Sequence, residues 1–237
     1  MRHEGTKTIS HEGTKNRMAI FLIHKRLRDL CVLRCLIVVF FVSVAAAQEA
    51  RVTPAHPSMN FFVTSKGLDG GNLGGLAGAD YHCQALAEAA GSTKTFYAYL
   101  SNRVSNGTTT LHARDRIGKG PFYNAKGVMV AKDVNDLHAR MDGVTKETAL
   151  TEKGEPVRLH DILTGSQPDG TAYRDRADTV DHTCNGYTSN SRGSVQLGRS
   201  DRSNGSSWIS AHPSKGCSQA DLAATGGAGQ FYCFAID

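Results

Sequence analysis

Four cysteines, Cys83, Cys184, Cys217 and Cys233, divide residues 59–237 and constrain the fold more than any other feature. An even set spread so widely in a chain with a secretory leader predicts two disulfides and one covalently closed domain. Four cysteines allow three connectivities, and their positions alone do not choose among them. The gaps between them are 101, 33 and 16 residues, with no C-x-x-C pair, which does not suit a structural zinc site.

The leader is read from residues 1–47. Lys25, Arg26, Arg28 and Arg34 precede an apolar run from Cys35 to Ala47 that ends in small residues, with Ala45 and Ala47 placed for cleavage. This is the pattern of a signal peptide. Thirteen apolar residues fall short of the roughly 20 that a membrane-spanning helix needs. The text HEGTK occurs at His3–Lys7 and again at His11–Lys15, and an over-extended start with Met18 as the true one accounts for it. The expected layout is a signal peptide at 1–47, a short segment at 48–58 and one domain at 59–237. It predicts a secreted, periplasmic or extracellular location with no membrane span after cleavage. Residues 1–47 hold 8 of the 27 Lys/Arg and 3 of the 22 Asp/Glu, so the remaining 190 residues carry 19 of each sign. The net charge of +5 belongs to the leader, and with it goes any general electrostatic case for binding nucleic acid.

Along the domain, Met59–Ser65 and Thr95–Leu100 predict strands. The glycine-rich loop Lys66–Gly78 leads to a helix at Ala79–Ala90, with Ala79, Cys83, Leu86, Ala87 and Ala90 on one apolar face and Gly91 as its C-cap. Val128–Ala131 predicts a short strand, and Asp133–Arg140 a short helix capped by Asp133. Thr145–Arg158 reads as a polar surface excursion. Gly165–Gly170 (GSQPDG) is a turn by composition, and Cys184–Ser189 and Ser194–Leu197 predict short strands. Gln230–Ile236 is apolar on both faces and should be a central, buried strand. The loop GLDGGNLGG does not give the G-x-G-x-x-G of a dinucleotide site.

The segment GADYHCQALAEAAGSTKTFYAYLSNR (Gly78–Arg103), then GSQPDG, Cys184, Cys217 and the terminal FYCFAI, resembles the endostatin domain of basement-membrane collagens in the same order. The chain is also similar to bacterial secreted proteins described as lectin-like. The resemblance implies an α+β, C-type lectin-like fold of endostatin type, in which a first and a last strand pair. It further implies nested disulfides, Cys83–Cys233 and Cys184–Cys217.

Gln167-Pro168-Asp169 matches the Gln-Pro-Asp turn with which sugar-binding C-type lectins ligate calcium and sugar hydroxyls, calcium favouring hard oxygen ligands. Asp175, Asp178, Asp181 and Asn185 follow. The Trp-Asn-Asp triplet of those lectins is absent, because Trp208-Ile209-Ser210 stands before Cys217. The resemblance therefore implies Gln167, Asp169 and Trp208 as ligand-binding residues, with Asp169 as a possible calcium ligand. The competing readings are a Pro-Asp-Gly turn with a backbone role only and a core tryptophan. The seven histidines after the leader are scattered. His160-Asp161 and Asp181-His182 are neighbours, but adjacent strand residues point to opposite faces. Arg114, Arg116, Lys119, Lys126 and Lys132 form a mildly basic stretch broken by Asp115; the resemblance to endostatin implies heparin there, but in a domain of zero net charge a solvated face is the favoured reading. No G-x-S-x-G nucleophile motif occurs.

The expected function is a secreted, non-enzymatic binding module for glycans or extracellular matrix components. One alternative is a structural or protein-interaction module of the envelope or matrix without sugar affinity. A second is a hydrolase.

Overall fold

The computed structural model describes residues 54–103, 110–140, 142–173 and 180–237. The expected leader with its cleavage site, Asp175 and Asp178 lie outside these residues. The described segments belong to one compact unit, Val52–Asp237. The architecture is mixed α+β, with more strands than helices and two disulfides.

Strand β10, Gly227–Ala235, is the spine of the main sheet. It pairs antiparallel with β1 (Phe61–Val63), antiparallel with β2 (Phe96–Ala98) and parallel with β7 (Asp161–Leu163). Beyond β7 the sheet continues through β8 (Gln196–Arg199) to β9 (His212–Pro213). Alternation along β1 and β10 divides the core into two layers, because successive side chains leave opposite faces of a strand. Phe62, Phe231, Cys233 and Ala235 pack against the helix α1, Gly75–Ala89. Phe61, Val63, Tyr232 and Phe234 join Tyr99, Phe122 and Trp208 in an aromatic layer on the other face. A strand covered on both sides reads as a continuous apolar run, and QFYCFAI is one.

Helix α1 begins earlier than its apolar face predicts. Gly74 adopts the left-handed conformation (φ 74°) ahead of the first turn, so the end of the glycine loop winds into the helix. Helix α2, Val134–Ala139, is capped by Asp133, whose side chain accepts from the Asp136 amide. Helix α3, Gln219–Ala223, is capped in the same way by Ser218. Two small hairpins complete the strands: β3 (Asn102–Arg103) with β4 (Thr110–Leu111), and β5 (Phe122–Tyr123) with β6 (Met129–Ala131). No helix among the described residues is long and apolar enough to cross a membrane.

Three sequence expectations are corrected. Thr145–Arg158 is not a surface excursion: Ala149, Leu150, Thr151 and Glu152 are buried, and Thr151 bridges to Val63 of β1. Glu152 earns its buried place by accepting from the amide and hydroxyl of Ser65. Cys184–Ser189 holds no strand. Cys184–Tyr187 instead forms a four-residue helical turn with φ between 49° and 66°, the left-handed region. Ser194–Leu197 contributes only Gln196 and Leu197 to β8.

Cys83 on α1 bonds to Cys233 on β10, and Cys184 bonds to Cys217. The pairs span 150 and 33 residues. In the chain-entropy account such loops contribute about 5 and about 4 kcal/mol by restricting the unfolded chain. Replacing Cys184 and Cys217 together with serine is expected to lower unfolding stability by about 3–4 kcal/mol. Denaturant titration of the oxidised variant against the parent measures this, and an unchanged midpoint would contradict it.

Candidate functional site

The Gln167–Gly170 turn closes through the Gly170 amide, which donates to the Gln167 carbonyl at 2.9 Å. Its side chains are occupied by that same turn. Gln167 Nε2 donates to Thr171 Oγ1 at 3.2 Å and to the Ala172 carbonyl at 2.9 Å. Asp169 Oδ1 accepts from both the amide and the hydroxyl of Thr171, at 3.0 and 2.6 Å. The Thr171 hydrogen bond holds the Asp169 carboxyl below the usual carboxylate range. Among the described residues no group of three or more His, Cys, Asp or Glu side chains is arranged to hold a metal ion. Calcium wants several hard oxygens around one point. Asp169 Oδ1 serves the turn, and the neighbouring carboxylates Asp175 and Asp178 lie outside the described residues.

Trp208 is corrected. It is 1 % exposed and packs in the aromatic layer, 5.1 Å from the Tyr99 ring and 5.3 Å from that of Tyr232. A side chain enclosed in this way has no face for a sugar, so Trp208 and Asp169 do not share a concavity. Above Trp208, His138 Nδ1 lies 2.6 Å from the Val134 carbonyl, and its Nε2 lies 2.7 Å from the Tyr99 hydroxyl. A carbonyl only accepts, so Nδ1 carries the proton and Nε2 accepts from Tyr99.

The arginines of the basic stretch are engaged internally. Arg114 Nη1 donates to the Asp169 carbonyl, and Arg116 forms a two-pronged ion pair with Asp80 at 2.6 and 2.8 Å.

Two adjoining cavities, of about 250 and 470 Å³, open beside the left-handed turn. The first is lined by Arg103, Gly165, Ala172, Tyr173, Val180, Asp181, His182 and Thr183. The second shares Arg103, Asp181 and Thr183 and adds Asn102, Asn185, Gly186 and Thr188, so the two form one polar cleft. The Tyr173 and His182 rings stack at 3.7 Å, only 12° from parallel.

The cleft is rigidly built. Asp181 accepts from the Thr183 amide and hydroxyl with Oδ1 and from the Asn185 amide with Oδ2. The buried Tyr187 hydroxyl donates to the carbonyls of Ser101 (2.7 Å) and Thr164 (3.2 Å), tying the turn to the residue before β3 and to the end of β7. Burial raises the Tyr187 phenol far above its usual value, so it stays a donor. A Cβ at Gly165 would clash with that hydroxyl, which requires glycine there. Non-glycine residues in the left-handed region cost of order 1–2 kcal/mol each. Such strain persists where the surroundings over-determine it, and it concentrates at functional sites. Sequence reasoning missed this cleft, although Asp181 and Asn185-Gly186 carried turn chemistry that signals it.

A second cluster lies on the sheet. Asp161 is fully buried, and His160 Nε2 and His212 Nε2 each approach its Oδ1 to 3.3 Å. The expectation that neighbouring His160 and Asp161 point apart fails because His160 precedes the first residue of β7 and is free of the strand's alternation. The contacts are ion-pair approaches rather than aligned hydrogen bonds, and neither carboxylate oxygen has a hydrogen-bond partner. His160 Nδ1 also lies 3.9 Å from Asp201 Oδ2, so two carboxylates face the two imidazoles.

No family model matches this chain, and no curated protein matches it.

Burial lowers the affinity of His138 for a proton, partly offset by its hydrogen bond to Val134. The unfolded chain binds that proton near the ordinary imidazole value of about 6.5, whereas the folded chain takes it only at lower pH. The resulting stability is present above about pH 6.5 and is lost as pH falls below it. Melting curves from pH 7.5 to 5 are expected to fall more steeply for the parent than for His138→Gln. Parallel curves would refute the assignment.

Proposed function

We propose that this chain is a secreted, non-enzymatic binding module with a C-type lectin-like fold of endostatin type, and that it binds a glycan or an extracellular matrix component. The observation that supports this most directly is the polar cleft beside the left-handed turn. A cleft of this kind, walled by an aromatic pair and a few fixed polar groups, suits ligand binding. The residues that line it lie on segments tied to the scaffold by the Cys184–Cys217 bond, and binding residues commonly lie on such loops. The ligand site is therefore assigned to Arg103, Tyr173, Asp181, His182, Thr183 and Asn185 in place of Gln167, Asp169 and Trp208. Both oxygens of Asp181, the carboxylate in this cleft, are held by the turn, and the proposed binding there does not draw on calcium.

The test is a glycan and matrix-component array with the oxidised domain, read with calcium and with chelator. A signal indifferent to chelator is expected. Tyr173→Ala should weaken it about tenfold, the upper range for one stacked aromatic, with little change in melting temperature. A signal that vanishes with chelator would overturn the assignment of the site. Absence of any glycan signal would leave the module as a structural or protein-interaction element of the envelope or matrix.

A further inference from the structure

Two histidines hold the segment that runs from the Gln167–Gly170 turn into the wall of the cleft, and both do so as acceptors. The Ala172 amide donates to His112 Nδ1 at 2.9 Å, and the Tyr99 hydroxyl meets His138 Nε2 at 2.7 Å beneath Gly170. An amide N–H only donates, so the first contact exists only while His112 Nδ1 carries no proton. The turn sits directly on the second contact: a Cβ at Gly170 would clash with both the Tyr99 hydroxyl and His138 Nε2. Arg114 completes the hold, its amide donating to the Gly170 carbonyl at 3.2 Å and its Nη1 to the Asp169 carbonyl at 2.9 Å. Ala172 is buried, bridges to Ser166 and lines the cleft, and Tyr173 follows it into the same wall.

Protonation turns both acceptors into donors. At His112 it fills the lone pair that the Ala172 amide needs, and two N–H groups then face each other. At His138 it leaves the proton of the fully buried Tyr99 hydroxyl without that acceptor, and it sets a positive charge in the field of Arg114. Asp169 and Asp115 act on His138 in the opposite sense, but Asp169 Oδ1 is engaged by Thr171. The elements beside His112 carry Arg103, opposite Thr110 of β4, and Arg114 and Asp115 of the short helix Ala113–Asp115. Both imidazoles are partly exposed, so protons reach them. We propose that His112 and His138 form an acid-sensitive latch on the cleft: neutral imidazoles hold the Gln167–Ala172 segment, and with it Tyr173, in the wall, and their protonation releases it. Histidine is the side chain whose ordinary titration falls between about pH 5 and 8. The latched state excludes protons that the released state binds, so release grows as pH falls. The latch belongs to the wall itself and does not depend on which ligand the cleft takes.

The experiment is amide hydrogen exchange of the oxidised domain, followed by NMR at pH 7.5 and 5.5, on the parent, His112→Gln, His138→Gln and the double variant. Each rate is divided by that of an unstructured peptide of the same sequence at the same pH, which removes the intrinsic pH dependence of exchange. In the parent, protection of the Gly170 and Ala172 amides is expected to fall by about tenfold or more at pH 5.5, the loss of one hydrogen bond, while the amides of β10 keep theirs. Glutamine does not titrate, so Ala172 protection in the double variant should be the same at both pH values. His182 stacks on Tyr173 and titrates beside it, so the readout is the Ala172 amide rather than the Tyr173 ring. Equal protection at the two pH values in the parent overturns the latch. A pH dependence of undiminished size in the double variant overturns its assignment to His112 and His138. The readout needs no ligand, so either failure is distinct from a failure of the glycan reading.

Discussion

The pairing of β10 with three neighbours at once is the constraint on which the rest depends. One nine-residue strand takes β1 and β2 antiparallel and β7 parallel. Each neighbour then leads to a different part of the molecule: β1 to the glycine loop and α1, β2 to the residues of β3, and β7 to the Gln167 turn and to β8. Because both faces of β10 are covered, every second residue serves a separate core layer. A charge introduced in Phe231–Phe234 would therefore disturb either the helix contact or the aromatic layer, with no exposed face to receive it.

The sequence made these central elements legible because their signals are local. Apolar residues on both faces identified β10, helical spacing of small residues identified α1, and Asp133 announced the cap of α2. Elements defined by distant partners were illegible. Asp161–Leu163 is three residues long and owes its strand conformation to β8 and β10 rather than to its own pattern. Leu150 and Thr151 lie in a polar stretch, yet they are buried because they dock on β1. The Cys184–Tyr187 segment carries a cysteine and a tyrosine that suit a strand. Its left-handed turn is imposed by the Asp181 carboxylate, the Cys217 bond and the Tyr187 anchor acting together.

The candidate site shows the same division. Gln-Pro-Asp at 167–169 is a turn, as its composition indicates, but its polar side chains serve the turn itself. Trp208 is an aromatic core residue. The cleft draws Asn102 and Arg103 from one hairpin, Tyr173 from the segment after the turn, and Asp181 to Thr188 from the segment around Cys184. Three stretches so far apart in the chain give no joint signal in one sequence. The His160, Asp161 and His212 cluster escaped for a related reason, since His212 reaches Asp161 only across β8 and β9.

The Cys83–Cys233 bond also determines how the domain carries a mechanical load. Strands β1 and β10 lie side by side near the two ends of the domain, with Phe61 opposite Phe234. Tension applied between those ends would peel β1 from β10 one hydrogen-bonded pair at a time. The pull then reaches Cys83 and crosses the sulfur bridge directly to Cys233. The 150-residue span between the two cysteines is outside the path of the force. Every residue that lines the cleft lies in that span, so the force does not run along the cleft's own backbone and reaches it only through the side contacts of the loaded stretch, such as the Leu73 amide on the Tyr187 carbonyl.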